Sequence, residues 1–333
     1  MTGILLVNLG TPDSSQTSDV RKYLREFLMD GRVIDIPAWK RWLLVNLIIA
    51  PFRSPKSAKE YQKLWTSEGS PLRVHSQKLT DLVQQSLGEN YVVRLGMRYQ
   101  NPSISSALAE LQKQQVDKII ILPLFPQYAS ATTGSIFEEV MRIVEKQQLI
   151  PQLTFIDTFA TNPKMIQTFA TLGKQHLDKQ QYDHILFSYH GLPERQLKKA
   201  DKNCLTANCC TTYHKGNRLC YKAQCFETSR LLVKELGLSV EQHSTAFQSR
   251  LGKAKWIAPY TTDAIANLAA QGVKKLLVFC PAFVADCLET TIEIGEQYKE
   301  EFIAAGGEKL TLVESLNSHP LWVETVCEMV AVK

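Results

Sequence analysis

Short, unbroken apolar runs alternate with longer amphipathic segments along the whole chain, and this alternation constrains the fold more than any other feature. The runs read as strands at residues 4–8, 92–97, 118–123 and 153–158, then at 184–189, 244–248, 275–280 and 310–314. A strand covered on one face alternates apolar with polar residues, whereas one covered on both faces does not. Runs such as Ile4-Leu-Leu-Val7 and Ile119-Ile-Ile-Leu122 therefore call for parallel sheets with helices on both faces, an α/β protein.

The two halves also repeat one another. Ile4-Leu-Leu-Val-Asn-Leu-Gly-Thr-Pro12 parallels Ile185-Leu-Phe-Ser-Tyr-His-Gly-Leu-Pro193: a strand, then Gly-x-Pro. The segment from Ala107 to Pro123 parallels that from Ala264 to Cys280, each a helix, a turn at Val-x-Lys and a buried strand. Any βαβ unit shares part of this pattern, but two matched segments in the same order favour two similar lobes with a cleft between them. A length of 333 residues suits that division, since single cores stop growing at about 250–300 residues. The expected lobes are residues 1–160 and 161–317, with a helix at 318–333 packing back on the first.

Other classes fall away. Apolar residues make up 44% and charged residues 21%, enough for a sizeable core and wrong for disorder. No run approaches the about 18 apolar residues of a membrane span. A net charge of +5, spread evenly, gives no footprint for nucleic acid. A strand-like run begins at residue 3 without a basic leader, so the expected setting is the cytoplasm.

In open α/β sheets, ligands sit beyond the carboxyl ends of the strands. Here those segments are residues 10–13, 98–99, 126–135, 190–194, 248–250 and 281–289. None carries a Gly-x-Gly-x-x-Gly or Walker loop, so no nucleotide cofactor is expected. His190 follows its strand directly and reads as a metal ligand, a proton acceptor, or a histidine bonded to a loop carbonyl. Read as an α-helix, Asp286, Glu289, Glu293, Glu296 and Glu300 share one face. Like charges so spaced repel. Glu296 and Glu300 suit a solvated face, whereas Asp286 and Glu289 stand near His190, where a divalent cation or proton transfer would offset the cost.

Ser188-Tyr-His-Gly-Leu-Pro-Glu-Arg195, Phe247-Gln-Ser-Arg250, Trp256-Ile-Ala-Pro-Tyr-Thr261 and Asp286-Cys-Leu-Glu-Thr290 carry a family resemblance. Val7-Asn-Leu-Gly-Thr-Pro12, Gly69-Ser-Pro-Leu72, Gly96-Met-Arg-Tyr99, Leu122-Pro-Leu-Phe-Pro-Gln-Tyr128 and Thr132-Thr-Gly-Ser135 extend it through the first half. In this order the motifs resemble ferrochelatase, the enzyme that inserts Fe(II) into a porphyrin. The resemblance implies a chelatase-like pair of Rossmann-like lobes, each a four-stranded parallel sheet, with porphyrin and ferrous iron as substrates. His190 would be the active-site histidine and Glu289 its partner, together meeting the metal, with Asp286 and Glu293 extending a polar path. Tyr128, Trp256 and Phe283 would pack on the macrocycle, and Arg53, Ser70 and Arg98 would contact propionates or hold the pocket. Leu9 stands where coproporphyrin-using relatives often carry tyrosine, which favours protoporphyrin IX as substrate and protohaem as product. The rivals are a coproporphyrin ferrochelatase, a cobalt chelatase of the same fold, and a non-catalytic haem-binding or iron-sensing protein.

The segment 37–52 corresponds to an apolar lip in that family. Its Trp39, Trp42, Leu43, Ile48, Ile49 and Phe52, with Lys40 and Arg41 beside them, suit either peripheral membrane contact or an amphipathic helix packed on the core. Five of eight cysteines, Cys204, Cys209, Cys210, Cys220 and Cys225, crowd into the insertion 201–225. In a reduced compartment such crowding points to metal or cluster ligation. By resemblance it is a [2Fe–2S] site using four of the five, with structural zinc or free thiols as alternatives. Cys204, Cys220 and Cys225 with one of Cys209 and Cys210 form the expected set. The other ligation mode of the family would need a cysteine where Ser130 stands, and has only Cys327 near the C-terminus. Cys280 reads as a small core residue, and Cys287 borders the acidic site.

Overall fold

The structure is a computed structural model that describes residues 1–201, 204–206, 209–250, 252 and 254–331. Residues 202–203 and 207–208 of the cysteine insertion, and 332–333 of the expected last helix, lie outside the described residues. The chain divides into two compact units, one of Met1–Phe125, Ala129–Asp157 and Asn317–Lys333, the other of Pro126–Tyr128 and Thr158–Leu316.

The first unit holds strands β1 (Thr2–Gly10), β2 (Tyr91–Tyr99), β3 (Lys118–Pro123) and β4 (Gln152–Phe155), all parallel, in the order β2-β1-β3-β4. Around them run α1 (Thr17–Met29), α2 (Ala38–Leu43), α3 (Ala50–Leu64), α4 (Pro71–Leu87), α5 (Ile104–Lys113) and α6 (Ser135–Val144). Leu5, Val7, Ile119 and Ile121 form one cluster with Leu108 and Leu111 of α5 and with Ile136 and Val140 of α6. Ile4 and Leu6 point the opposite way by strand alternation and are equally buried. Both faces are covered, which is why the strand run contains no polar residue.

The second unit repeats the plan. Strands β5 (His184–His190), β6 (His243–Gln248), β7 (Lys275–Phe279) and β8 (Lys309–Leu312) are parallel in the order β6-β5-β7-β8. The helices are α7 (Pro163–Leu177), α8 (Glu194–Ala200), α9 (Tyr221–Leu236), α10 (Thr261–Ala270) and α11 (Lys299–Ala304). The last helix, α12 (Pro320–Val330), belongs to the first unit and packs on α4. Pro126–Tyr128 groups with the second unit because its polar atoms are engaged there. The Gln127 amide donates to Thr228 Oγ1 at 3.1 Å, and the Tyr128 N–H donates to Gln224 Oε1 at 2.6 Å. The edge strands β4 and β8 end earlier than expected, each pairing over four residues with a single neighbour.

Among the described residues, three segments wind as π-helix: Leu44–Ile49, Ser130–Gly134 and Leu288–Tyr298. Such i→i+5 winding is uncommon and clusters at functional sites. Each segment here overlaps a stretch singled out in the sequence.

His184 and His243 open the neighbouring strands β5 and β6. Burial lowers the affinity of both rings for a proton, and for His184 the nearby His243 adds to it. The unfolded chain, with histidines near 6.5, therefore takes up protons first. The associated stability is fully present above pH 6.5 and is lost as the pH falls below it. Urea midpoints should drop between about pH 7 and 5.5, and His184→Gln should flatten that slope; an unchanged slope would contradict the account.

Candidate active site

His190 is the last residue of β5, an interior strand flanked by β6 and β7. The chain turns away immediately through Gly191, whose N–H donates to the Gln248 carbonyl at 2.9 Å. A Cβ at Gly191 would lie 2.9 Å from that oxygen and 3.2 Å from the Trp256 ring, so only glycine fits without displacement. Gly10, at the end of β1, is under the same constraint in the first unit: its φ is +114°, and a Cβ would meet the Tyr99 carbonyl oxygen at 2.0 Å. The glycines matched in sequence are thus matched in physical role.

The His190 ring is half-buried, and its Nδ1 lies 2.7 Å from the Gly191 carbonyl oxygen. A carbonyl only accepts, so in the neutral ring Nδ1 carries the proton and Nε2 presents a lone pair. Tyr221 donates its hydroxyl to the His190 carbonyl at 2.7 Å, and the Trp256 ring stands 6.3 Å from the imidazole.

The acidic segment departs from the α-helical expectation. Asp286 precedes the helix altogether and accepts the Ser315 N–H at 3.0 Å. Glu289 and Glu293 lie on the π-helix Leu288–Tyr298, where residues four or five apart stack and those seven apart do not. Glu289 and Glu293 accordingly stay partly buried while Glu296 and Glu300 face solvent. Tyr298, five residues beyond Glu293, donates to its Oε1 at 3.0 Å, and Ser249 donates to its Oε2 at 2.7 Å. Burial and the Glu293 charge both push the Tyr298 phenol up, so it remains a donor. Cys287 caps the helix. Burial and neighbouring Glu289 push its thiol up, leaving it a neutral residue.

Tyr128, Trp256 and Phe283 also belong to the second unit, each partly exposed, with Phe283 packed on the core that contains Ile294 and Tyr298. Leu9, Arg53, Ser70 and Arg98 belong to the first. Leu9 is half-buried and Arg53 is exposed. Ser70 is buried, accepts from Thr11 Oγ1 at 2.9 Å, and borders an open cavity of about 550 Å³ with Trp65, Arg73 and Gln77. Arg98 donates to Ser135 Oγ at 2.7 Å and to Asp30 Oδ2 at 2.8 Å. Burial works to raise the Asp30 carboxyl, but the bonds from Ser135 and the Arg32 N–H, the Arg98 charge and the Tyr99 hydroxyl together bring it below its ordinary value.

The family model for ferrochelatase matches residues 1–333. Ferrochelatase of Coxiella burnetii (strain Dugway 5J108-111) is 49% identical over 330 residues, covering 98% of this chain and 92% of that protein. Ferrochelatase of Legionella pneumophila (strain Paris) is 49% identical over 328 residues, covering 98% of each. The chain belongs to the ferrochelatase family. It is a metal-insertion enzyme of that family, with ferrous iron as substrate. Among solved structures, SirB from Bacillus subtilis with Fe3+ superposes with a TM-score of 0.57 at 12% identity, covering 99% of this chain and 94% of that one. The cobalt complex of SirB, a sirohydrochlorin chelatase from B. subtilis subspecies spizizenii, also gives 0.57, at 10% identity and covering 99% and 93%. These likenesses show the chelatase fold.

The cysteine-rich segment places its thiols in two settings. Cys209 and Cys210 have their sulfurs 3.4 Å apart, and the Cys220 thiol hydrogen-bonds with those of Cys210 and Cys204. The bond from Cys210 brings Cys220 down to about 6, while burial and the Cys220 charge push Cys204 up to about 11. Cys225 is fully buried on α9 and bonded to Tyr221, and burial together with the Cys220 charge pushes its thiol up. Among the described residues, no group of three or more His, Cys, Asp or Glu side chains is arranged to hold a metal ion. Cys280 is a buried core residue of the second unit.

The lip is exposed: Trp39, Trp42, Leu43, Ile48 and Phe52 all face solvent, Ile49 is half-buried, and α2 has no buried residue, so the alternative of a core-packed amphipathic helix fails there. Lys40 lies over the Trp39 ring, whereas Arg41 turns inward to the Ile34 and Ile36 carbonyls. No helix among the described residues is long and apolar enough to cross a membrane.

Sequence reasoning did not single out Asp30 or Tyr298. A lone aspartate after a helix gives no signal, and Tyr298 stands out only once five-residue spacing is known.

Proposed function

We propose that the chain inserts ferrous iron into protoporphyrin IX, yielding protohaem and two protons, with His190 and Glu289 at the reacting centre. The observation that carries this reading is the Nδ1–H bond to the Gly191 carbonyl, which leaves Nε2 as the free basic atom of the imidazole. That atom is a base toward a pyrrole N–H and a ligand toward Fe(II), and it performs one task at a time. Glu289, bonded to the Cys287 thiol at the start of the π-helix, is its partner in proton or metal handling. Glu293 and Asp286 continue the polar path, each anchored by the donors described above. Tyr128, Trp256 and Phe283 supply the wall against which the flat macrocycle is puckered. In the first unit, exposed Arg53 suits a propionate carboxylate, whereas Ser70 and Arg98 are held in place by Thr11 and by Asp30 and Ser135. Leu9 places an apolar side chain where a coproporphyrin-type enzyme would present tyrosine.

His190→Ala should reduce Zn(II) and Fe(II) insertion into protoporphyrin IX by at least about a hundredfold while porphyrin still quenches intrinsic fluorescence. Retained insertion would remove His190 from the centre, and faster turnover of coproporphyrin III than of protoporphyrin IX by the parent protein would overturn the substrate assignment.

The donor chemistry of the cysteine segment fits a [2Fe–2S] cluster, which takes four thiolates. We assign them to Cys204, Cys209, Cys210 and Cys220, the hydrogen-bonded group, and leave Cys225 out because it is sealed beside Tyr221. Anaerobically purified protein should show visible bands that dithionite bleaches. Cys220→Ala should abolish them and Cys225→Ser should keep them. Zinc without iron on analysis would replace the cluster with a structural metal.

The exposed lip suits a peripheral position on the cytoplasmic face of a membrane, where an apolar porphyrin would arrive. Vesicles with anionic lipid should pull the protein down at low salt, and Trp39→Ser with Phe52→Ser should release it. Failure of the parent protein to sediment would end the membrane reading.

A further inference from the structure

We infer that Gln248 is a positioning residue that ties the His190 turn to the Glu289 turn. This rests on the roles given to His190 and Glu289 above. Gln248 ends β6 directly opposite His190 in the parallel pair, and it is 1% exposed. Its backbone carbonyl accepts the Gly191 N–H at 2.9 Å, and the Gly191 carbonyl in turn accepts His190 Nδ1–H at 2.7 Å. Its side chain reaches the other way. Nε2 donates to the Glu289 carbonyl at 2.9 Å and, more weakly, toward Glu293 Oε2 at 3.4 Å.

The amide has one orientation that works. Ser188 donates to Oε1 at 2.8 Å, with Thr261 2.9 Å behind it, and the Cys280 thiol lies 3.9 Å from the same oxygen. On the helix side there are only acceptors, a carbonyl and a carboxylate. Reversing the amide would set oxygen against oxygen, so both Nε2 hydrogens are committed to the π-helix. No other natural side chain offers an acceptor toward Ser188 and a two-hydrogen donor toward the helix at this reach. Asparagine is one methylene short, glutamate lacks the donor, and methionine lacks both. One buried residue thereby fixes the tautomer-setting turn through its backbone and the carboxylate-bearing first turn through its side chain. Gln248 touches neither metal nor porphyrin in this account; it sets the spacing of the groups that do.

The test is steady-state zinc insertion into protoporphyrin IX by Gln248→Met and Gln248→Glu, with the Zn(II) KM, the kcat and the porphyrin Kd measured separately. Displacing the Glu289 turn should raise the Zn(II) KM and lower kcat, reducing kcat/KM for the metal about tenfold or more, while the porphyrin Kd stays within about twofold of the parent. A residue that merely supports folding would reduce the amount of active protein and leave the Zn(II) KM where it was. Should Gln248→Met fail to fold, Gln248→Glu carries the test, since it keeps the volume and the partner of Ser188. A parental Zn(II) KM in a folded variant would overturn the inference. Loss of insertion in His190→Ala alongside a parental Zn(II) KM in Gln248→Glu would sink the positioning role and leave the reading of His190 standing.

Discussion

Much of the second unit hangs on one close approach, the Gly191 peptide pressed against the carbonyl of Gln248. Because the two backbones meet without a Cβ between them, β5 ends abruptly at His190, and the following carbonyl is delivered to the imidazole instead of to solvent. The tautomer of the ring is then a consequence of backbone geometry and needs no carboxylate partner. Hydrogen bonding is strongest where water is absent, and here every group behind the ring is buried: Ser188, Gln248 and Thr261 form one satisfied polar column inside an apolar sheet. The same column ends on the π-helix. The base and the acidic helix are therefore parts of one hydrogen-bonded frame.

The π-helix explains how Glu289, Glu293 and Glu296 can share one short segment. In an α-helix they would stack and repel. The wider turn sends Glu296 to water and keeps Glu289 and Glu293 inward, where Tyr298 and Ser249 donate to Glu293. The charge that remains is concentrated on few groups, each with a defined set of donors. The first unit solves a similar problem with Asp30, which gathers Arg98, Tyr99 and Ser135 onto one oxygen.

The strand runs were legible because burial on both faces removes polar residues, a local signal that tertiary structure does not override. All eight strands among the described residues were placed, and the match of Gly10 with Gly191 came from the same pattern. The place of His190 at a strand end was legible from the apolar run before it, whereas Glu289 was singled out only by a motif that resembles a family. What the sequence hid was the hydrogen-bond step of a helix. Apolar periodicity does not distinguish i→i+4 from i→i+5 in eleven residues, so Asp286 was set on a helix it precedes and Tyr298 went unseen. Cysteine spacing likewise did not reveal that Cys225 is sealed on α9, since burial depends on the partners Tyr221 and Tyr189.

The central claim is that backbone geometry holds His190 with its proton on Nδ1 and its lone pair on Nε2. Protein labelled with 15N-histidine, examined by long-range 15N–1H correlation at about pH 8 with His190→Gln for assignment, reports this directly. The account predicts a protonated Nδ1 and an unprotonated Nε2, with Nε2 the nitrogen that shifts when Zn(II) is added. A proton resident on Nε2 would contradict it.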